Sequence, residues 1–214
     1  MNPDIAGLRK EYASQMLLEE DAAYHPVDQF EKWWLQAVQS ELTEVNAMTL
    51  ATSSCDGMPS ARIVLLKDFS HDGFVFYTNY TSYKSMQLQE NPKACLVFFW
   101  KELERQVRIV GLVNRVSEAE SDTYFLSRPI GSQVGALTSP QSRIIESREW
   151  LDKRYDELLR QYSGKTLERP EHWGGYTVNP IIMEFWQGRP NRLHDRLQYT
   201  LEEDGNWRKD RLAP

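Results

Sequence analysis

Three arginines and one histidine fall within the ten residues Gln187-Gly188-Arg189-Pro190-Asn191-Arg192-Leu193-His194-Asp195-Arg196, in a chain whose formal net charge is -6. A guanidinium is a planar fork of five donors that keeps its charge, and it suits phosphates and carboxylates. In an extended strand, side chains two apart share a face, so Arg192, His194 and Arg196 line one side and Leu193 and Asp195 the other. Such a cluster is a site for a small anionic ligand; the plain alternative is a solvated, charged strand edge. A second group of residues points to the same chemistry. Arg62-Ile63-Val64-Leu65-Leu66-Lys67 is a strand-like run with a cation at each end, and Tyr77-Thr78-Asn79 ends the next one. Ser82-Tyr83-Lys84-Ser85 then opens a helix, where hydroxyls, free backbone N–H groups and a lysine make a seat for phosphate. Gln106, Gln141 and Ser142 are neutral donor–acceptors suited to the polar edge of a heterocycle.

The elements that must position these residues follow from periodicity. Gly7 to Asp21 is polar and helix-prone. A helix is expected from Pro26, with Val27, Phe30, Trp33, Trp34, Ala37 and Val38 at helical spacing. From Ala47 the period shortens, and strands are expected at Met48–Ser53, Ser60–Lys67 and Phe74–Thr78. The turn signals Cys55-Asp56-Gly57 and His71-Asp72-Gly73 separate them. Ser82–Glu90 reads as a short helix stopped by Asn91-Pro92. Strands at Ala94–Trp100 and Glu104–Val116 come next. The capping pattern at Ser117-Glu118-Ala119-Glu120 opens a helix to about Ser127. Glu149–Tyr162 is amphipathic and helical. Strands return at Tyr176–Gln187, Arg196–Leu201 and Asn206–Arg211, while Gly174-Gly175 reads as a turn into the first of these. Hairpin-linked strands with helices between them predict an α+β protein on an antiparallel barrel, not a doubly wound dinucleotide fold.

Composition narrows the function classes. The 214 residues suit one sizeable domain with appended segments. Residues 1–22 are expected as a mobile N-terminal helical segment and 23–214 as the barrel domain. No apolar run approaches the roughly 20 residues of a membrane helix, and Met1 to Lys10 has no apolar signal core. Cys55 and Cys95 lack metal-ligand spacing and read as reduced cytoplasmic thiols, so no metal is expected. A pI near 5.3 argues against general nucleic-acid binding.

In chain order, several short stretches resemble the pyridoxine/pyridoxamine 5′-phosphate oxidase family. They are Ser60-Ala61-Arg62-Ile63-Val64-Leu65-Leu66-Lys67, Phe76-Tyr77-Thr78-Asn79, Glu104-Arg105-Gln106-Val107 and Tyr124-Phe125-Leu126-Ser127-Arg128-Pro129. Then come Ser132-Gln133-Val134-Gly135-Ala136, Trp173-Gly174-Gly175, Glu184-Phe185-Trp186-Gln187-Gly188, Arg192-Leu193-His194-Asp195-Arg196 and the terminal Asp210-Arg211-Leu212-Ala213-Pro214. Each is short; collinear from about Leu8 to the end, they are specific together.

The resemblance implies an antiparallel split β-barrel of the FMN-binding type with peripheral helices, working as a homodimer with active sites at the subunit interface. It implies oxidation of pyridoxine 5′-phosphate and pyridoxamine 5′-phosphate to pyridoxal 5′-phosphate. O2 would be the electron acceptor and H2O2 the product, with NH3 also released from the amine. By position, Arg62, Ile63, Val64, Leu65, Leu66, Lys67, Tyr77, Thr78, Tyr83, Lys84 and Gln106 match the FMN contacts of one subunit. Gln141, Ser142, Trp186 and Arg196 match those supplied by the other. Lys67, Tyr124, Arg128 and Ser132 match the grip on the substrate phosphate. Arg192 and His194 match the catalytic residues against the substrate ring, and Arg9 and Tyr12 a segment that folds over the occupied site. One departure stands out: Tyr83 replaces the arginine that usually precedes the lysine in this family's Ser-Arg-Lys pattern. Two other readings remain, a related flavin oxidase of another aromatic metabolite and a non-catalytic split-barrel protein binding flavin, haem or pyridoxal phosphate.

Overall fold

A computed structural model describes residues 15–214 of the chain. Five helices and nine strands alternate along it. Helix α1 (Pro26–Gln39) is followed by β1 (Ala47–Ser53), β2 (Pro59–Leu65), β3 (Asp68–Ser70) and β4 (Gly73–Asn79). Next come α2 (Tyr83–Glu90), β5 (Lys93–Trp100), β6 (Arg105–Arg115), α3 (Glu118–Ser127), α4 (Ile130–Thr138) and α5 (Arg148–Gln161). The chain ends with β7 (Trp173–Gln187), β8 (Asp195–Leu201) and β9 (Trp207–Arg211). The strands hydrogen-bond in the order β2-β1-β5-β6-β7-β4-β3, with β8 on β7 and β9 on β8. The pairings β3–β4, β4–β7, β7–β8 and β8–β9 are all antiparallel, as the hairpin pattern predicts.

The chain forms two compact units, each with its own core. Among the described residues, one comprises 15–49, 95–110 and 180–214. There α1 enters at Pro26 behind His25, whose side chain accepts from the Val27 N–H. The buried face of α1 carries Phe30 and Trp33, which meet Phe98 and Phe185 at ring distances of 5.1 and 5.3 Å. Tyr199 is fully buried and its hydroxyl donates to the Ala23 carbonyl at 2.7 Å. Part of the expected N-terminal helix falls in this unit: residues 15–22 are coil and turn, and the rest lies outside the described residues.

The other unit comprises residues 50–94 and 111–179. A buried cluster in it is formed by Phe125, Val134, Leu167 and Trp173, with Tyr77, Tyr124 and Tyr155 packed against it. Ser117 caps α3 by accepting from the Glu120 N–H at 3.1 Å, as its capping pattern predicts. Pro129 follows Arg128, and the residue before a proline is driven out of the helical region. Arg128 accordingly leaves α3 in extended backbone (φ -75°, ψ 149°), and α4 begins two residues later. Gln133 clasps the corner by donating to the Arg128 carbonyl at 2.8 Å.

Two expectations are corrected. Gly174 and Gly175 are not a turn; they lie inside β7, paired with Thr78 and Tyr77 of β4. A Cβ on Gly174 would sit 2.2 Å from the Tyr80 hydroxyl, and one on Gly175 would sit 2.7 Å from the Tyr77 ring. The glycines permit close approach of side chains, not a change of direction. The second correction concerns the Arg-rich segment. Pro190–Arg192 is a 3-10 turn with Asn191 and Arg192 at φ 56° and 61°, and β8 begins only at Asp195. Arg192 and His194 therefore do not share a strand face with Arg196. Pro190, which has no N–H to offer a ladder, begins the turn.

Candidate active site

β2 alternates exposed and half-buried positions, so Ser60, Arg62 and Val64 share one face. Arg62 is held from three sides. Its Nη1 donates to the Leu50 carbonyl at 3.1 Å and to Thr52 Oγ1 at 2.6 Å, and its Nη2 donates to Ser60 Oγ. Burial pushes the guanidinium below its ordinary pKa. Lys84, in the first turn of α2, is buried. Its ammonium donates to Thr78 Oγ1 at 3.1 Å, Ser82 Oγ at 3.3 Å and Gln141 Oε1 at 3.1 Å. All three acceptors are neutral, so they orient the charge without cancelling it. Burial first, and the Arg62 charge second, lower the Lys84 pKa to about 8.

A second group of cations sits on aromatic rings. Tyr77 of β4 stacks on Tyr124 of α3 with ring centroids 3.9 Å apart, and Trp173 stacks on Tyr77 at 5.5 Å. The Arg128 guanidinium lies 4.7 Å over Trp173, and Lys67 Nζ is 6.0 Å from the Tyr124 centroid. Arg128 does not spend itself on helix-end carbonyls: its Nη1 is buried and has no hydrogen-bond partner. A buried charged donor left unpaired is costly, and it is a natural place for a ligand anion.

These residues line one cavity of about 770 Å³, within the range of small-molecule sites. Its wall includes Arg62, Lys67, Lys84 and Arg128, and no aspartate or glutamate is among its lining residues. Of the positions expected to hold a cofactor, Arg62, Ile63, Val64, Leu65, Lys67, Tyr77, Thr78, Lys84 and Gln141 are on this wall. All four residues expected at a substrate phosphate are there too: Lys67, Tyr124, Arg128 and Ser132. Gln141 reaches the cavity of its own chain, through its bonds to Thr78 and Lys84.

Leu66, Tyr83, Gln106, Ser142, Trp186 and Arg196 are not among the lining residues. Leu66 is buried, and Tyr83 is half exposed at the start of α2. Ser142 is exposed in the left-handed region at φ 69°. Arg9 and Tyr12 lie outside the described residues. Sequence reasoning gave no role to Thr52, Ser60, Gln87 or Trp173. Ser60 is two residues from Arg62 on one strand and was open to discovery by that spacing, whereas Gln87 is brought in by tertiary packing alone.

In the other unit, Arg196 donates through Nε to Glu184 Oε1 at 2.8 Å and through Nη1 to the Ala213 carbonyl at 2.8 Å. Arg108 also pairs with Glu184. Burial pushes the Glu184 carboxyl up, but the two guanidiniums outweigh it and hold the pKa below the ordinary value. Trp186 and His194 have ring centroids 4.5 Å apart. Nδ1 of His194 accepts from the Arg189 N–H at 3.1 Å, so the neutral ring carries its proton on Nε2. Burial and the neighbouring Arg192 charge both lower the His194 pKa, which favours that neutral form. Asp195 is tied to Arg189, Arg211 and the Leu17 N–H.

The family described as pyridoxamine 5′-phosphate oxidase matches residues 35–162, and its C-terminal dimerisation region matches residues 173–214. A pyridoxine/pyridoxamine 5′-phosphate oxidase of Trichormus variabilis is 55% identical over 214 residues, covering all of both chains. The solved structure of PhzG from Burkholderia lata, in complex with tetrahydrophenazine-1-carboxylic acid, superposes with a TM-score of 0.89 at 30% identity. It covers 94% of this chain and all of that one. A pyridoxamine 5′-phosphate oxidase-related, FMN-binding protein of Nostoc punctiforme shares the fold, with a TM-score of 0.73 at 16% identity, covering 90% of this chain and all of its own. The collinear motifs, the antiparallel pairings and the cationic cavity agree with these matches: the chain belongs to the pyridoxine/pyridoxamine 5′-phosphate oxidase family.

Proposed function

We propose that this protein oxidises pyridoxine 5′-phosphate and pyridoxamine 5′-phosphate to pyridoxal 5′-phosphate, using FMN as cofactor and O2 as electron acceptor. The observation that carries this is the cavity wall with four cations and no carboxylate. A phosphomonoester brings roughly -1.5 to -2 charge at neutral pH, so FMN and a phosphorylated substrate together match four positive charges. The cations also fall into two groups. Arg62 and Lys84, with Thr78 and Gln141, suit the flavin phosphate; Lys67 and Arg128, with Tyr124 and Ser132, suit the substrate phosphate. The unpartnered Nη1 of Arg128 fits an arriving phosphate oxygen.

FMN, when bound, would supply the two-electron acceptor that takes a hydride from the substrate's C4′ carbon and passes the electrons to O2, giving H2O2. The protein's own part is to hold the ring in place and manage its protons. Arg192 would lie against the substrate ring and stabilise negative charge on it. His194, neutral and protonated on Nε2, would donate to the ring's phenolic oxygen. Trp186, Arg192, His194 and Arg196 are not on the cavity wall of their own chain. We infer that they serve the site of the second subunit in a homodimer, for which the match to the family's dimerisation region is the support. No helix among the described residues is long and apolar enough to cross a membrane. The free thiols Cys55 and Cys95 suit a cytoplasmic setting.

Likeness to PhzG raises a second substrate class, the reduced phenazine carboxylic acids. A single carboxylate leaves more of the cavity's cations unpaired than a phosphate does, which favours the B6 vitamers. The test is anaerobic addition of pyridoxine 5′-phosphate to the yellow protein, with a tetrahydrophenazine carboxylic acid in parallel. Bleaching by the phosphorylated vitamer, and recovery of colour with peroxide on admitting air, is the expected outcome. Bleaching by the phenazine alone, or by neither, overturns the assignment.

A further inference from the structure

Both hydroxyls that accept from the Arg62 guanidinium are tied to a residue that is not among those lining the cavity. Gln87, on α2, is buried, and its Oε1 accepts hydrogen bonds from both Thr52 Oγ1 and Ser60 Oγ, each at 2.6 Å. Its Nε2 donates to the Met58 carbonyl at 3.4 Å. A hydroxyl has a single proton. With both protons committed to Gln87, the lone pairs of Thr52 and Ser60 are left to face Arg62, which donates to both. Arg62 is thus held by an array whose polarity is set from behind by one carboxamide oxygen.

We propose that Gln87 is a positioning residue for Arg62, fixing two hydroxyl acceptors around the guanidinium while leaving its positive charge free for a phosphate. Neutrality is central to the role. A carboxylate at Gln87 would accept the same two hydrogen bonds, but it would place a negative charge one hydroxyl away from Arg62 and offset the charge offered to the ligand. The absence of a carboxylate from the cavity wall would thereby extend to the layer behind it. This inference rests on the assignment of Arg62 to the flavin phosphate made above.

FMN and riboflavin share the ring and differ by the phosphate, so their affinities for the flavin-free protein separate the two ideas. Flavin fluorescence titration of the wild type should show a clear preference for FMN. Gln87→Glu and the near-isosteric Gln87→Met should each lower FMN affinity by about tenfold or more and leave riboflavin affinity unchanged. A scaffold role alone would weaken both ligands together; equal losses, or unchanged FMN affinity, overturn the proposal. Thermal melting reports whether each variant folds. Where neither does, Ser60→Ala, which removes one of the two links, decides by the same ratio. A wild type with no preference for FMN overturns the assignment of Arg62 itself, and this inference with it.

Discussion

Lys84 is where charge and burial meet most sharply. Its ammonium is buried among neutral oxygens, beside the positive Arg62, and its pKa has fallen to about 8. Only the protonated form attracts a phosphate, so FMN affinity should be full below pH 8 and fall as pH rises through it. The limit is roughly tenfold per pH unit for one proton lost. Riboflavin binding should stay flat over the same range. Stability of the flavin-free protein should move the other way. Between about pH 8 and the ordinary lysine value of 10.5, the unfolded chain binds a proton that the folded chain does not, so stability rises with pH there. FMN titrations at pH 7, 8 and 9, paired with melts of the apoprotein, check both signs. A pH-independent FMN affinity would remove Lys84 from the phosphate seat. Tyr83 beside it brings no charge and is not among the lining residues, so Arg62 and Lys84 would carry more of the proposed seat.

At the scale of elements, the site depends on how closely β4 and β7 approach. Gly175 lets the Tyr77 ring lie against the strand, and Tyr77 in turn stacks on Tyr124 at 3.9 Å. A valine at Gly175 would meet that ring and Val116 Cγ2, the latter 2.6 Å from the first added carbon. Gly175→Val should cost about 1–3 kcal/mol of stability by overpacking. Because the displaced ring helps place Tyr124, it should also raise KM for the phosphorylated substrate more than it changes kcat. Melting curves and Michaelis curves together check this; a lower melting temperature with unchanged KM would break the link from strand packing to substrate. The same pair of glycines shows what was legible in the chain. Period-two runs and Asp-Gly turns announced the strands, and Ser117 with its following glutamate announced α3. Gly174-Gly175 read as a turn because a glycine's tolerance for odd backbone and its lack of a side chain look alike in sequence. Helix α4 was not anticipated: Ile130–Thr138 carries two glycines and few strong helix formers, and buried Val134 and Thr138 stabilise it through packing. For Arg192, the strand period was extended across Pro190, where the chain instead makes a left-handed turn.

For the molecule as a whole, the proposed roles fall on separate parts of the chain. The cations proposed to bind phosphate line a cavity within residues 50–94 and 111–179, while Arg192 and His194, proposed to face a substrate ring, belong to residues 180–214. Motif order could be read from the residues; that the halves of a site come from different chains was implied only by the family resemblance, because it depends on assembly. In a closed two-fold dimer whose sites lie across the interface, each site would take one contribution from either partner. Two variants separate the possibilities. Arg128→Ala removes the unpartnered donor from the cavity, and Arg192→Leu removes the cation proposed to hold the substrate ring, so each homodimer should turn over poorly while keeping its flavin. Mixed in equal amounts and allowed to exchange subunits, half of the dimers are hybrids. If the halves of each site come from different chains, a hybrid has one site with both defects and one with none. Activity should then recover to about a quarter of wild type, since half the dimers carry one good site of two. If both halves come from the same chain, each site in the hybrid keeps one defect and no activity returns. Recovery also requires exchange, which wild-type subunits labelled covalently with a donor dye and with an acceptor dye would report by energy transfer under the same conditions. Proven exchange without recovered activity would place Arg192 and the cavity of its own chain in one site, and would remove the shared-site arrangement from the proposed function.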